Sequence, residues 1–389
     1  MNQQTDRDLL SRSADPTVTP AAMEPVKEPA RGIGLCLSGG GYRAMLFHVG
    51  SLWRLNELRY LERLSRISSV SGGSITAATL GLNWKILAQG NWTAEAFQRA
   101  VVDPIRRFAG KTIDWKVVVL GIFLPGSIND HLARIYRREL FGDATLQDLP
   151  DSPRFTLNAT NIGSAVLWRF AKPYMRDYRV GEVKAPKVPL AQVVAASSAF
   201  PPILSPASLA LNPQAFTRSS GEDLQREPYT RRAILSDGGV YDNLGLEPVF
   251  KRYQTVLVSD AGARIAPEPK PARNWLFHII RVLNIMDSQV RSLRKRQLIA
   301  AFAAQLRSGT YWGIGTNITD YELKDALNCP FPRTLALAQV ATRLAAMEPI
   351  LQEQLINWGY AVCDAAIRRW VEPTAAAPNN FPFPAVGVG

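Results

Sequence analysis

The chain has 389 residues, 47% of them hydrophobic, enough to bury a sizeable core in one large or two ordinary domains. Lys and Arg number 45 against 33 Asp and Glu, a net +12 that favours anionic surfaces such as phosphates, nucleic acids or acidic lipid headgroups without choosing among them. Three scattered cysteines, Cys36, Cys329 and Cys363, exclude a disulfide framework and a cysteine zinc set and fit a reducing compartment.

Residues 1–31 mix charges and prolines without periodicity, the composition of a flexible arm. No apolar leader segment is present in them, and the longest apolar run, 117–124, is too short to span a bilayer, so a soluble cytoplasmic protein is expected. From Gly32 a short apolar strand, "GIGLCLS", leads into a glycine loop, a helix over 44–58 and a second strand, "RISSV". This is a βαβ unit. The helix is apolar on most sides, which predicts that it lies beneath other elements. The run "VVVLGIFLPG" (117–126) reads either as a buried element or as part of an acyl-chain groove or lid.

Further apolar strands are expected at 154–162, 167–170, 233–236 and 255–259, all consistent with an α/β sheet. Beyond residue 266 the pattern becomes helical, with Pro349 in a first helical turn, and the last sixteen residues read as a tail. The expected organisation is an arm (1–31), a core (32–265), a helical region packed on it (266–373) and the tail (374–389).

"SVSGGS" (69–74) raises the question of a nucleophile. An elbow between strand and helix needs small residues two before and two after the nucleophile. Ser71 alone meets this while ending a strand, with Ser69 and Gly73 at those positions; the alternative is a plain Ser/Gly turn. A serine nucleophile needs a base and donors for an oxyanion. Backbone amides of Gly39, Gly40 and Gly41 in "SGGGYRA" are candidate donors, with Arg43 as a positive charge beside them. Asp237, ending a strand before Gly238 and Gly239, is the candidate base, unless it only caps its own turn; Asp242 and Asp260 stand in similar contexts.

The set "SGGGYRA", "SVSGG" and "DGG", with "AASSAFPPILSP" (195–206) before the last of these, resembles the patatin-like phospholipases over residues 32–262. The resemblance implies a three-layer α/β fold, with a mostly parallel central sheet, helices on both faces and a helical C-terminal extension. It also implies a serine lipid acyl hydrolase of phospholipase A or lysophospholipase type, with a Ser71–Asp237 dyad, a glycine-loop oxyanion hole and an acyl-enzyme. Neither a metal nor an organic cofactor is implied, and the partner is a phospholipid or other acyl ester.

Three rivals stay in view. His278 follows Asp237 and would complete a Ser71–Asp237–His278 triad, although it sits in a helical pattern. Gly39, Gly41 and Ala44 fit a dinucleotide fingerprint that lacks its acidic partner at the end of the second strand. A non-catalytic lipid-binding module is the third. The basic cluster Arg291, Arg294, Lys295 and Arg296 lacks the aromatic interleaving of a nucleic-acid site. It reads as a solvated helix face or, with Arg106, Arg107, Arg137 and Arg138, as a peripheral contact with an anionic membrane.

Overall fold

The computed structural model of the chain describes residues 28–113, 127–262, 265, 267–271 and 274–389. Residues 1–27 of the expected arm and the apolar run 117–126 lie outside the described residues.

Ten strands form one sheet: β1 (Ala30–Leu37), β2 (Leu64–Val70), β3 (Arg154–Asn161), β4 (Val166–Ala171), β5 (Tyr174–Asp177), β6 (Gly181–Lys184), β7 (Ala207–Ala210), β8 (Arg232–Asp237), β9 (Tyr253–Asp260) and β10 (Ser308–Gly313). The main path runs β10-β9-β1-β2-β3-β4-β5-β6. Its first five strands are parallel and the rest pair antiparallel. One detail of register positions the site. β2 pairs with Arg154–Asn158 of β3, β4 takes the other edge at Leu157–Asn161, and β8 pairs antiparallel with Ala159–Asn161. A strand has only two hydrogen-bonding edges, so β8 continues along β3 where β2 stops. Val70 faces Asn158 and Asp237 faces Ala159, so the C-terminal ends of β2 and β8 meet head on.

Alternation along the strands divides the core into two. Leu35, Leu37 and Leu257 point into a large cluster with α1 (Gly41–Glu57), α2 (Gly72–Leu82) and α3 (Leu190–Ser197). Cys36, Val256 and Val258 point to the other face, against Leu244, Leu246, Val249 and Leu298 of α4, a 29-residue helix over Trp275–Ala303. The C-terminal helix α5 (Pro349–Trp370) joins the large cluster.

The C-terminal α5 is integral to the main core. It crosses α1 so closely that a side chain at Gly50 would meet the carbonyl oxygen of Ile356 at 1.8 Å, and one at Gly359 that of Phe47 at 1.9 Å. Arg54 of α1 pairs with buried Asp364 of α5 at 2.8 Å, which also receives Arg368 at 2.9 Å. The residues read as a tail are packed too: Phe383 stacks edge-on against Trp53, and Asn357 Nδ2 donates to the carbonyls of Phe383 and Gly387. Strands β5, β6, β7 and β10 were not anticipated. Their short sequences hold too few alternating apolar residues to stand out, and β10 follows directly on a helical pattern. Among the described residues no helix is long and apolar enough to cross a membrane.

Gly359→Ala is expected to lower stability by roughly 3 kcal/mol or more, because backbone rather than a movable side chain blocks the new methyl. Gly110→Ala, with its nearest neighbour at 3.6 Å, should shift stability by less than about 0.5 kcal/mol. Urea unfolding of both proteins measures the difference.

Candidate active site

Ser71 joins β2 to α2 with φ 51° and ψ −121°, a conformation that non-glycine residues adopt only when their surroundings hold it. The holding bonds come from serines. The Ser71 amide donates to Ser197 Oγ at 3.0 Å, and Ser197 in turn donates to the Asn158 carbonyl at 2.7 Å. Ser74 Oγ lies 2.9 Å from both Ser197 Oγ and Ser69 Oγ. Ser69 therefore does more than keep the elbow small, since its hydroxyl joins the network that fixes the turn. Gly73 packs on the end of β1, where a side chain would meet the Leu37 and Ser38 carbonyls at 2.6 Å.

The glycine loop lies against this elbow. A side chain at Gly72 would meet the Gly41 carbonyl at 2.2 Å, and one at Gly39 would reach Ser71 Cβ at 3.2 Å. Gly40 and Gly41 take φ values of 144° and 60°, so the chain turns into α1 through conformations that suit glycine. The three loop amides differ. That of Gly39 donates to the Asn243 carbonyl at 3.1 Å, whereas those of Gly40 and Gly41 meet no acceptor among the described residues. The Gly72 amide, in the first turn of α2, is equally unengaged, and sequence reasoning missed it.

Arg43 is buried. Its Nε and Nη2 donate to the Ala261 carbonyl at 3.2 and 2.9 Å and its Nη1 to the Val340 carbonyl at 2.5 Å. Desolvation lowers its pKa to about 10. Rather than facing an open hollow, the guanidinium ties the exit of β9 and the stretch after Gln339 to the glycine loop. The Tyr42 amide adds a second tie to the Arg343 carbonyl at 3.2 Å.

Asp237 is 1% exposed. Its amide donates to the Ala199 carbonyl at 2.8 Å, its carbonyl accepts from Thr160 Oγ1 at 2.8 Å, and Oδ1 accepts from the Gly239 amide at 2.7 Å. Oδ2 completes no hydrogen bond among the described residues. Ser71 lies near enough to favour the carboxylate without completing a hydrogen bond to it. Burial dominates, pushing the pKa up to about 7 against the opposing pull of the Gly239 amide and Ser71, and the charge of Asp287 adds to the rise. Near the carboxyl, the buried Tyr136 hydroxyl and Ser198 Oγ lie close to each other without completing a hydrogen bond, so the surroundings of Asp237 are polar on that side.

The two similar aspartates behave differently. Asp242 accepts from the Leu244 and Glu247 amides at 3.3 and 2.7 Å, and Asp260 from the Gly262 amide at 2.8 Å and the Tyr311 hydroxyl at 2.7 Å. Both engage both oxygens. Gly238 and Gly239 are needed for close approach, since a side chain at Gly238 would strike the Asn158 carbonyl at 2.5 Å. Asn243 Oδ1 sits between the two glycine turns, 2.4 Å from a side-chain position at Gly39 and 2.9 Å from one at Gly239. Neither Asn243 nor Ser197 was singled out from sequence, because no local pattern marks an asparagine or serine that acts across the fold.

The histidines stand apart from this arrangement. His48 is buried with its ring between Ser259 Oγ (2.8 Å) and the Ser38 carbonyl (2.9 Å), and desolvation lowers its pKa to about 4. His278 is exposed on α4. A cavity of about 500 Å³ opens beyond the Asp260 turn, lined among others by Ser288, Arg291, Lys295 and Tyr311, and neither Ser71 nor Asp237 lines it.

Solved structures similar to the chain include human GIVD cytosolic phospholipase A2 in complex with methyl gamma-linolenyl fluorophosphonate. That match has 15% identity and a TM-score of 0.48, and covers 88% of this chain and 58% of that one. A second human GIVD cytosolic phospholipase A2 structure matches with 14% identity and a TM-score of 0.40, covering 61% and 49%. VipD from Legionella pneumophila matches with 15% identity and a TM-score of 0.34, covering 87% and 66%. The chain thus spans about half the length of the human structures. No curated protein matches it. The patatin-like phospholipase family model matches residues 35–250, from within β1 through the glycine loop, the elbow and the Asp-Gly-Gly turn, and the chain therefore belongs to the patatin-like phospholipase family.

Proposed function

We propose that the chain is a serine hydrolase of lipid acyl esters, phospholipids or lysophospholipids among them, working through a Ser71–Asp237 dyad. The observation that carries this reading is the head-on meeting of β2 and β8 along β3, which sets a strained serine beside a buried carboxylate with one oxygen unpartnered. Asp237 Oδ2 accepts the hydroxyl proton as Ser71 Oγ attacks the ester carbonyl carbon. The resulting oxyanion is held by the amides of Gly40, Gly41 and Gly72, each such donor contributing on the order of 3 kcal/mol. Protonated Asp237 then passes its proton to the departing alkoxide, leaving an acyl-Ser71. Water, deprotonated by Asp237, attacks the acyl carbon and restores the serine.

The discrimination among the three aspartates supports this role, because both oxygens of Asp242 and of Asp260 are already engaged by hydrogen-bond donors whereas one oxygen of Asp237 is not. The position of His278 on the solvent side of α4 favours a dyad over a triad. A pKa near 7 suits a base at neutral pH, since it keeps the group partly ionised while strengthening its hold on a proton.

Ser71→Ala and Asp237→Asn are each expected to lower hydrolysis of p-nitrophenyl butyrate by about a thousandfold or more, while His278→Ala leaves it unchanged. Retention of a tenth of the wild-type rate in either of the first two would end the dyad reading. The rate should rise tenfold per pH unit up to about pH 7 and then level off, as Asp237 loses its proton.

The same group affects stability with a definite sign. Its folded pKa lies above its unfolded value, so between about pH 4 and 7 the folded state holds a proton that the unfolded chain has released, and stability falls as pH rises. Asp237→Asn is therefore expected to raise the melting temperature more at pH 8 than at pH 4. Calorimetric scans at both values check this, and an equal shift at the two would contradict it.

A further inference from the structure

The polarity of α4 is inverted relative to an ordinary surface helix. Trp275, Ile279, Leu283, Met286, Val290 and Leu293 recur at offsets 0, 4, 8, 11, 15 and 18, which places them along one stripe, and all six are exposed, by 41% to 75%. The charged residues of the helix face the protein instead. Arg291 lies 3.6 Å from Asp260, Arg294 lies 3.6 Å from Asp242 and 3.3 Å from Glu247, and Lys295 sits 4.3 Å over the Tyr311 ring. The basic face anticipated from sequence is thus largely turned inward, with Arg296 exposed at its margin. Of the other arginines grouped with it, Arg106 pairs with Glu353, Arg137 with Asp143 and Arg138 with Glu139.

The stripe adjoins the candidate active site. Arg294 Nη2 donates to the Tyr241 carbonyl at 3.4 Å, four residues past Asp237, and the Asp287 charge acts on the Asp237 carboxyl. Two exposed apolar side chains stand next in sequence to residues that hold Asp237. Val240 is 53% exposed in the turn that follows it, and Phe200, 48% exposed, succeeds the residue whose carbonyl receives the Asp237 amide. From Trp275 to Leu293 the stripe runs about 27 Å at 1.5 Å per residue, far more apolar surface than isolated exposed side chains provide.

We propose that this stripe docks on a phospholipid surface, its side chains entering the headgroup–acyl boundary and bringing the neighbouring Ser71–Asp237 pair up to the lipid. Three features select lipid as the occupant. The helix exposes an apolar stripe that begins at Trp275 in its first turn, the kind of surface with which a helix lies in a headgroup–acyl boundary. The net charge of +12 complements an anionic leaflet. The stripe belongs to the helix that abuts the Asp-Gly-Gly turn, so a lipid surface docked on it would bring substrate next to the Ser71–Asp237 pair, which a second copy or a protein partner would not supply. The inference rests on the acyl-hydrolase reading for the identity of the substrate, but docking itself is measured without catalysis.

The full chain carrying Ser71→Ala, so that lipid is not consumed, is sedimented with vesicles of phosphatidylcholine and phosphatidylglycerol. The expected result is co-sedimentation, reduced about tenfold or more by the added changes Leu283→Gln, Met286→Gln and Val290→Gln. In the Ser71 background the triple change should leave hydrolysis of soluble p-nitrophenyl butyrate intact and depress hydrolysis of vesicle lipid. Met286→Cys labelled with an environment-sensitive dye provides a second reading, since Cys36, Cys329 and Cys363 are buried, and its emission should shift to the blue on adding vesicles. The proposal is overturned if the Ser71→Ala protein stays in the supernatant, if the triple variant binds undiminished, or if the chain is a dimer that the triple change dissociates. Vesicle binding without soluble-ester hydrolysis by the unaltered chain would instead sink the dyad and leave the docking surface standing.

Discussion

One edge of β3 carries two strands in succession, and the candidate site depends on where the first ends. β2 uses that edge as far as Asn158, and β8, running the other way, uses it from Ala159. Asn158 locks the junction. Its Nδ2 donates to Ser68 Oγ and to the Ser69 carbonyl, both at 2.9 Å, and its own carbonyl receives Ser197 Oγ and leaves room only for glycine at 238. Because side chains alternate along a strand, a slip of one residue in β8 would carry Asp237 to the opposite face of the sheet. The relation between Ser71 and Asp237 is therefore a matter of register, fixed by backbone pairing rather than by any direct bond between the two side chains.

Burial gives that register its chemical meaning. A carboxylate in the interior ordinarily has both oxygens paired, as Asp260 does, and Asp237 departs from this by one oxygen. The departure destabilises the fold at neutral pH, since desolvation of the charged form outweighs the single Gly239 bond. It also leaves an acceptor with raised proton affinity facing a hydroxyl. The strained dihedrals of Ser71 belong to the same pattern, in which two unfavourable local states are held side by side by a serine and asparagine network.

How much of this was legible follows from the range over which each signal acts. The glycine loop, the elbow and the Asp-Gly-Gly turn are local: each needs small residues at fixed spacing, so each is written in a few consecutive letters. The strands of the parallel core were readable for the same reason, being short apolar runs. Ser197 and Asn243 were not, because they act on residues 126 and more than 200 positions away, where a serine or asparagine looks like any loop residue. Arg43, read from sequence as a positive charge beside the oxyanion donors, instead donates to carbonyls of Ala261 and Val340 that no spacing connects to it. The closing segment 374–389 reads as a tail by composition, yet Phe383 and Val388 are held by α1 and α5, whose glycine contact brings those helices together.

The long helix α4 illustrates why periodicity alone misleads. Its sequence carries both a charged stripe and an apolar one, and the usual rule assigns the apolar stripe to the core. Here the C-terminal part obeys the rule, with Leu298 buried in the smaller cluster against β1 and β9. The N-terminal part reverses it, because the protein surface it meets already carries Asp242, Asp260 and Glu247, and those carboxylates take the arginines. Once the charged stripe is drawn inward, the apolar one has nowhere to go but outward. The acidic residues that end β9 and follow the Asp-Gly-Gly turn thus decide the orientation of the helix, and through it they decide that its outward face is apolar rather than charged.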